Sequence, residues 1–270
     1  MRVGIVGIGL IGGSLGKALR GLNRSLEVVG LTRSEESAAE ARKLGAVDRA
    51  SASASILQGS DVVVVCTPID QIEAALETTS DLLLSGTVVT DVASVKRPVR
   101  DWVRRLPEPG LFLGGHPVAG KTQSGLAASD PAIFRNEPWV FTPLEAQNLR
   151  PFEAWFELVA AIGARVRFLS PEEHDRQMAY LSHLPFTLSS VLAATVAQHA
   201  DSQLAGPGYR GMVRLNTGDP AMYESISRAN REGLMQAIDD FSQTLQQYRQ
   251  RIEGNQQLRT LFEGDVHVAV

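Results

Sequence analysis

Near its start the chain reads Gly7-Ile8-Gly9-Leu10-Ile11-Gly12, which fits G-x-G-x-x-G. The pattern directly follows a strand-like run, Arg2–Val6, and opens a helical stretch from Ser14 to Leu22. That is the setting a dinucleotide-binding turn requires. Gly7 permits the tight turn, Gly9 lets the backbone approach a pyrophosphate, and Gly12 lets helix and strand pack closely. The phosphates would meet the N–H groups around Leu10 and Ile11 and the positive end of the helix. The second apolar run ends in Leu31-Thr32-Arg33-Ser34, with no acid before Glu35. An acid here would bind a ribose 2′-hydroxyl. Arg33 can instead pair with a 2′-phosphate, to which Thr32 and Ser34 can also donate. NADP is therefore the expected cofactor, the alternative being that Arg33 is a solvated surface residue. Thr67 and Pro68, after the valine run 62–65, are expected to border the nicotinamide ribose. Cys66 reads as a buried small hydrophobe.

Two further segments, Asp91–Lys96 and Gly114–Gly120, each follow an apolar run. Both are expected at the carboxyl edge of a sheet, where open α/β sheets bind ligands. His116, held between Gly115 and Pro117, is suited to take a substrate hydroxyl proton near neutral pH while a nicotinamide takes the hydride. Ser94 is expected to hydrogen-bond its second ring nitrogen and fix the tautomer. His174, His199 and His267 stand in helical or tail contexts and are assigned surface roles.

The elements that must position these groups change character near residue 170. Up to about 169, short apolar runs alternate with helical stretches, the pattern of βαβ units around a mainly parallel sheet. The unbroken run Val62–Val65 reads as a central strand covered on both faces. Ala50–Ser55 is expected to be a loop or a short helix. Ser170-Pro171-Glu172-Glu173 is a helix start, with Ser as N-cap, Pro in the first turn and Glu for a capping box. Helix then continues to about Ala200, with a kink expected at Pro185. Asp219-Pro220 starts another helix. Ile238, Phe241, Leu245, Tyr248 and Ile252 recur at three- and four-residue steps, which fits either an intramolecular core face or a subunit interface. The expected fold is an α/β Rossmann-type doubly wound domain over residues 1–169, followed by an all-helical domain over 170–270.

The 270 residues carry 30 acidic and 26 basic side chains, a net charge of −4, which argues against nucleic-acid binding. Mean hydropathy is −0.04, and no uninterrupted apolar run approaches the roughly 18 residues of a membrane span. No secretory leader is recognised at the N-terminus. The single cysteine excludes an intramolecular disulfide and a cysteine-cluster metal site. A cytoplasmic, globular protein with no metal is expected.

Together Gly7–Ser14, Asp91–Lys96, Gly114–Gly120 and Ser182-His183-Leu184-Pro185 resemble the motifs of the prephenate/arogenate dehydrogenase family, in the same order. The resemblance runs from Met1 to about Glu253. It implies oxidative decarboxylation of a cyclohexadienol with NAD(P) as hydride acceptor, in tyrosine biosynthesis, and a helical domain that forms a homodimer. By position, His116 resembles the catalytic base and Ser94 its partner. Ser124 resembles a substrate-pocket residue, and His183 resembles a residue lining or backing the substrate. Arg210 and Arg214 match two arginines suited to the substrate carboxylates, although Gly211 replaces the family's aspartate between them. Asn230 matches an asparagine after the Gly218-Asp219-Pro220 helix start. Phe186 stands where prephenate-using relatives often have a second histidine. With Thr32-Arg33, this looks most like the NADP-dependent arogenate dehydrogenases. About 17 residues follow Glu253, so tyrosine feedback is expected to act at the active site. The alternatives are a prephenate dehydrogenase, a 3-hydroxyacid dehydrogenase and a non-enzymatic NADP sensor. Residues 123–270 contain no lysine, which speaks against the hydroxyacid class and its helical-domain lysine.

Overall fold

All four side chains of Val62-Val63-Val64-Val65 are buried, and the segment lies near the middle of an eight-stranded sheet. The computed structural model describes residues 1–22 and 25–254. The strands are β1 (Arg2–Val6), β2 (Glu27–Leu31), β3 (Arg49–Ser51), β4 (Val62–Val65), β5 (Val88–Asp91), β6 (Phe112–Pro117), β7 (Pro138–Thr142) and β8 (Arg165–Phe168). Their order across the sheet is β3-β2-β1-β4-β5-β6-β7-β8. All neighbours are parallel except β6 and β7. Strands 1 to 6 thus follow the doubly wound order, whose switch point lies between β1 and β4. Strand β3 falls where the sequence suggested a loop or a short helix. Its three residues are held by parallel pairing to β2 rather than by their own propensity. A 3-10 turn, Ala54–Leu57, follows it.

Helices α1 (Leu10–Arg20), α2 (Glu35–Lys43), α3 (Ile69–Leu84), α4 (Arg97–Val103) and α5 (Glu153–Ala161) cover the sheet. Leu15, Leu19, Ala38, Ala41, Trp155 and Leu158 enter one apolar layer with Val62 and Val64. Ile72, Leu76, Val99 and Val103 enter the other with Val63 and Val65. The alternation of β4 side chains thus divides the core between the two faces.

Beyond β8 the described chain is helical: α6 (Pro171–Met178), a π-helical turn (Ala179–His183), α7 (Leu184–His199), α8 (Pro207–Val213), α9 (Pro220–Ala229) and α10 (Arg231–Glu253). Ser170 Oγ accepts from Glu173 N at 3.1 Å and caps α6. Asp219 Oδ1 accepts from Ala221 N at 3.0 Å and from Met222 N at 3.4 Å, capping α9. At Pro185 the helix widens into the π turn just before the proline, which has no N–H to return to the preceding turn. From Pro171 to His199 these elements form one 29-residue helix, with a window of mean hydropathy 1.2. Length and composition would suffice to cross a membrane, although the uninterrupted sequence runs gave no such signal. This helix also carries the buried His174, Asp175 and His183.

The helical domain buries little of its apolar surface within one chain. Its core cluster comprises Ala179, Leu184 and Ala237. Along α10, Phe241, Leu245 and Ile252 are 36%, 55% and 52% exposed, while Ile238 and Tyr248 are half-buried. Ile238 packs against that cluster, whereas Phe241, Leu245 and Ile252 are left uncovered within one chain.

Candidate active site

The glycine turn leaves β1 at the switch point. Gly7 has φ +89°, a left-handed conformation that favours glycine. A Cβ on Gly12 would stand 2.1 Å from the Gly7 carbonyl oxygen, so no larger residue fits where the helix crosses the turn. A Cβ on Gly9 would meet nothing within 4 Å. Helix α1 has no acidic residue in its first turn and no side-chain cap, which leaves the N–H groups around Leu10 and Ile11 open to an anion. Across the switch point, after β4, Thr67 Oγ1 is buried and has no hydrogen-bond partner among the described residues; Pro68 beside it is exposed. An open cradle, a bare helix N-terminus and an orphaned hydroxyl fit a dinucleotide.

At the end of β2 the three polar residues differ in availability. Thr32 Oγ1 donates to Ser34 O at 2.9 Å. Ser34 Oγ donates to Ser37 Oγ at 3.3 Å and accepts from Ser37 N at 3.2 Å, capping α2. Both hydroxyls are thus engaged within the turn. Arg33 is exposed and makes no hydrogen bond or ion pair among the described residues. Burial, reinforced by the Asp91 charge, pushes the Cys66 thiol above its usual range, as befits an inert side chain.

His116 lies within β6, opposite Val140 of β7, rather than after the strand. Two neighbours from the Asp91–Lys96 segment fix the backbone there. Asp91, fully buried, accepts from Gly115 N and Ala93 N, both at 3.0 Å. Lys96, 1% exposed, donates to Asp91 Oδ2 and, at 2.5 Å, to the Gly115 carbonyl. A Cβ on Gly115 would stand 2.7 Å from the Asp91 carbonyl oxygen, so only glycine permits this approach.

The partner of His116 is His174, not Ser94. His116 Nδ1 and His174 Nε2 are 2.8 Å apart, with the rings edge to face at 71°. Ser94, half-buried, makes no hydrogen bond among the described residues. The surface role expected of His174 is likewise wrong, since it is fully buried. The exposed His199 keeps its surface position, and His267 lies outside the described residues. His174 Nδ1 lies 2.8 Å from Asp175 Oδ1. The Asp175 carboxylate also accepts from Lys96 N at 2.7 Å and Arg97 N at 2.9 Å, where α4 begins. The Asp175 backbone carbonyl accepts from Asn230 Nδ2 at 2.8 Å, and the same amide lies 3.2 Å from His183 Nδ1. His183, 2% exposed, has a buried Nε2 without a partner.

Burial lowers all three histidines. His116 falls well below its usual value through burial, then through the charges of His174, Lys96 and His183. His174 falls through burial, opposed by its bond to Asp175. His183 falls to about 4, again through burial. Near neutral pH all three are therefore uncharged, and His116 is in the form that accepts a proton.

The remaining expected site residues are not joined to this cluster by any hydrogen bond. Ser124 is exposed in the loop after β6. Arg210 belongs to α8 and donates to Ala205 O at 2.6 Å. Arg214 opens a 3-10 turn and is exposed, with no side-chain partner among the described residues. The pair thus lies in short helices. Sequence reasoning missed His174, Asp175 and Lys96 as members of the site.

Comparison with known proteins places both domains in one family. Residues 15–168 match the family model described as prephenate dehydrogenase, nucleotide-binding domain. Residues 170–264 match prephenate dehydrogenase, dimerization domain. A prephenate dehydrogenase of Bacillus subtilis is 30% identical over 261 residues, covering 92% of this chain and 69% of that protein. The crystal structure of prephenate dehydrogenase from A. aeolicus, in complex with hydroxyphenyl propionate and NAD+, superposes with a TM-score of 0.90. It is 27% identical, and the match covers 97% of this chain and 95% of that one. Synechocystis arogenate dehydrogenase superposes with a TM-score of 0.80 at 31% identity, covering 97% and 96%. The matches run in order through both domains, and the chain belongs to the prephenate/arogenate dehydrogenase family.

Proposed function

We propose that this dehydrogenase oxidatively decarboxylates L-arogenate to L-tyrosine with NADP. The observation that carries the reading is His116, neutral and buried in β6, with one ring nitrogen engaged by His174 and Nε2 left for a ligand. Arg33 supports the 2′-phosphate, because its guanidinium is uncommitted. Phe186 supports arogenate, because it stands where prephenate-using relatives often carry a histidine. It is stacked on Tyr223 with ring centroids 3.4 Å apart.

The turn at Gly7, Gly9 and Gly12 with Leu10 and Ile11 would hold the pyrophosphate, Arg33 the 2′-phosphate, and Thr67 and Pro68 the nicotinamide ribose. Bound there, the cofactor supplies the hydride acceptor. His116 Nε2 takes the proton of the ring hydroxyl as that carbon is oxidised. Loss of the ring carboxylate as CO2 leaves its electron pair in the ring, which becomes a phenolate. His116 then returns the proton to the phenolate oxygen. Arg210 and Arg214 are the candidate carboxylate ligands, and His183 and Ser124 further substrate contacts. The α10 stripe is assigned to a homodimer interface.

Incubating the protein with arogenate and NADP should give tyrosine, CO2 and NADPH in equal amounts. NADPH without tyrosine, or no turnover with any cyclohexadienol, would refute the reading.

A further inference from the structure

His116 and His183 lie in one buried cluster, and the groups around them differ in a way that fixes their protons. We propose that Asp175 sets the two histidines in opposite tautomers, making His116 Nε2 a hydrogen-bond acceptor and His183 Nε2 a donor. Asp175 is a positioning residue in this scheme. The inference rests on His116 being the base, but the tautomer readout that decides it does not depend on turnover.

The first branch runs through the Asp175 carboxylate. Backbone N–H groups can only donate, so Lys96 N at Oδ1 and Arg97 N at Oδ2 engage both oxygens as acceptors. His174 Nδ1, 2.8 Å from Oδ1, must then carry a hydrogen. A neutral His174 has its lone pair on Nε2. His116 Nδ1, 2.8 Å away, must donate to it. The lone pair of a neutral His116 is thereby left on Nε2, the nitrogen a substrate hydroxyl would need.

The second branch runs through the Asp175 backbone carbonyl. A carbonyl can only accept, so the Asn230 side-chain atom 2.8 Å from it is the NH2 group and the amide cannot be reversed. That NH2 also faces His183 Nδ1 at 3.2 Å, so Nδ1 accepts and Nε2 bears the hydrogen. This donor is buried and has no acceptor among the described residues, so it is available to an oxygen of the ligand. An unpaired buried donor is costly, and its retention is explained if a substrate oxygen completes it.

The arrangement also accounts for how a buried base can accept a proton. Burial and the Lys96 charge disfavour imidazolium at His116 in the resting state. Of the charged groups around the cluster, Lys96 is paired with Asp91, and Asp175 lies behind His174. When His116 gains a proton, its Nδ1–H points through His174 toward the Asp175 carboxylate, which stabilises the charge without a direct contact.

Ring-nitrogen NMR of protein labelled with 15N-histidine tests the assignment directly. Signals are assigned by single replacement of each of the five histidines. Near neutral pH the expected pattern is Nδ1–H for His116 and His174, and Nε2–H for His183. Finding His116 as Nε2–H, or His183 as Nδ1–H, would overturn the proposal even if the enzyme turns over arogenate. The expected pattern in a protein inactive on every cyclohexadienol would leave the proposal standing and reject the assigned function. In His174→Phe, the His116 signal should become a mixture of tautomers, and kcat should fall by ~10²-fold with KM for NADP unchanged, since orienting a base is worth a large part of general-base catalysis. A single unchanged His116 tautomer in folded His174→Phe would also overturn it.

Discussion

Nδ1 of His116 in β6 lies 2.8 Å from Nε2 of His174 in α6. This contact joins the sheet domain to the helical domain at the ring proposed to act as the base. The same junction is held by Asp175, which receives the first N–H groups of α4, and by the ion pairs of Arg100 with Glu172 and Arg97 with Glu232. Movement of α6 relative to β6 would therefore disturb the base before it disturbed the cofactor turn.

Replacing the base should separate chemistry from binding. His116→Asn should keep its NADP dissociation constant while kcat falls by at least ~10²-fold, the usual contribution of general acid–base catalysis. Steady-state kinetics and cofactor titration check this, and near-normal turnover would reject His116 as the base.

Cofactor choice should rest on one side chain. Arg33→Ala should raise KM for NADP and leave NAD kinetics nearly unchanged, because NAD has no 2′-phosphate. Thr32 and Ser34 already donate their hydroxyls within the turn, so they should not compensate. An equal loss with both cofactors would make Arg33 structural.

The exposed stripe of α10 should be covered by a second copy of the chain. Sedimentation at micromolar concentration should show a homodimer. Phe241→Glu combined with Leu245→Glu should yield monomers, because two charges would be buried without partners. A monomeric unsubstituted protein would contradict the interface.

Acid should destabilise the protein through its buried histidines. Their folded pKa values lie below the unfolded value of about 6.5, so the unfolded chain binds more protons in that window. The stabilising contribution is complete above about 6.5 and is lost as pH falls toward the folded values. For His183 the window runs from about 6.5 to about 4, worth on the order of 3 kcal/mol. Thermal unfolding followed across that range should show Tm dropping with pH, and less steeply in folded His183→Gln. An identical slope in that variant would remove His183 from the account.

The fold was legible because its signals are local. Gly7, Gly9 and Gly12 stand between a strand and a helix, Ser170-Pro171 and Asp219-Pro220 mark helix starts, and the valine run marks a central strand. The site was legible only in part. His174 and Asp175 sit within Glu172-Glu173-His174-Asp175-Arg176, a charged stretch that reads as a solvated face. Their signal was one of phase: Pro171, His174, Asp175 and Met178 occupy one helical stripe, and all four are buried. Lys96 closes the Asp91–Lys96 motif, but nothing local distinguishes a lysine that clamps a backbone carbonyl from a solvated one. Ser94 lies in a neighbouring segment of the same sheet edge, whereas the histidine's partner comes from 58 residues further along the chain.

The most direct measurement compares kcat/KM for arogenate and prephenate, each with NADP and with NAD. The account predicts the highest value for arogenate with NADP and a loss when either component is exchanged. A higher value for prephenate with NAD would contradict it.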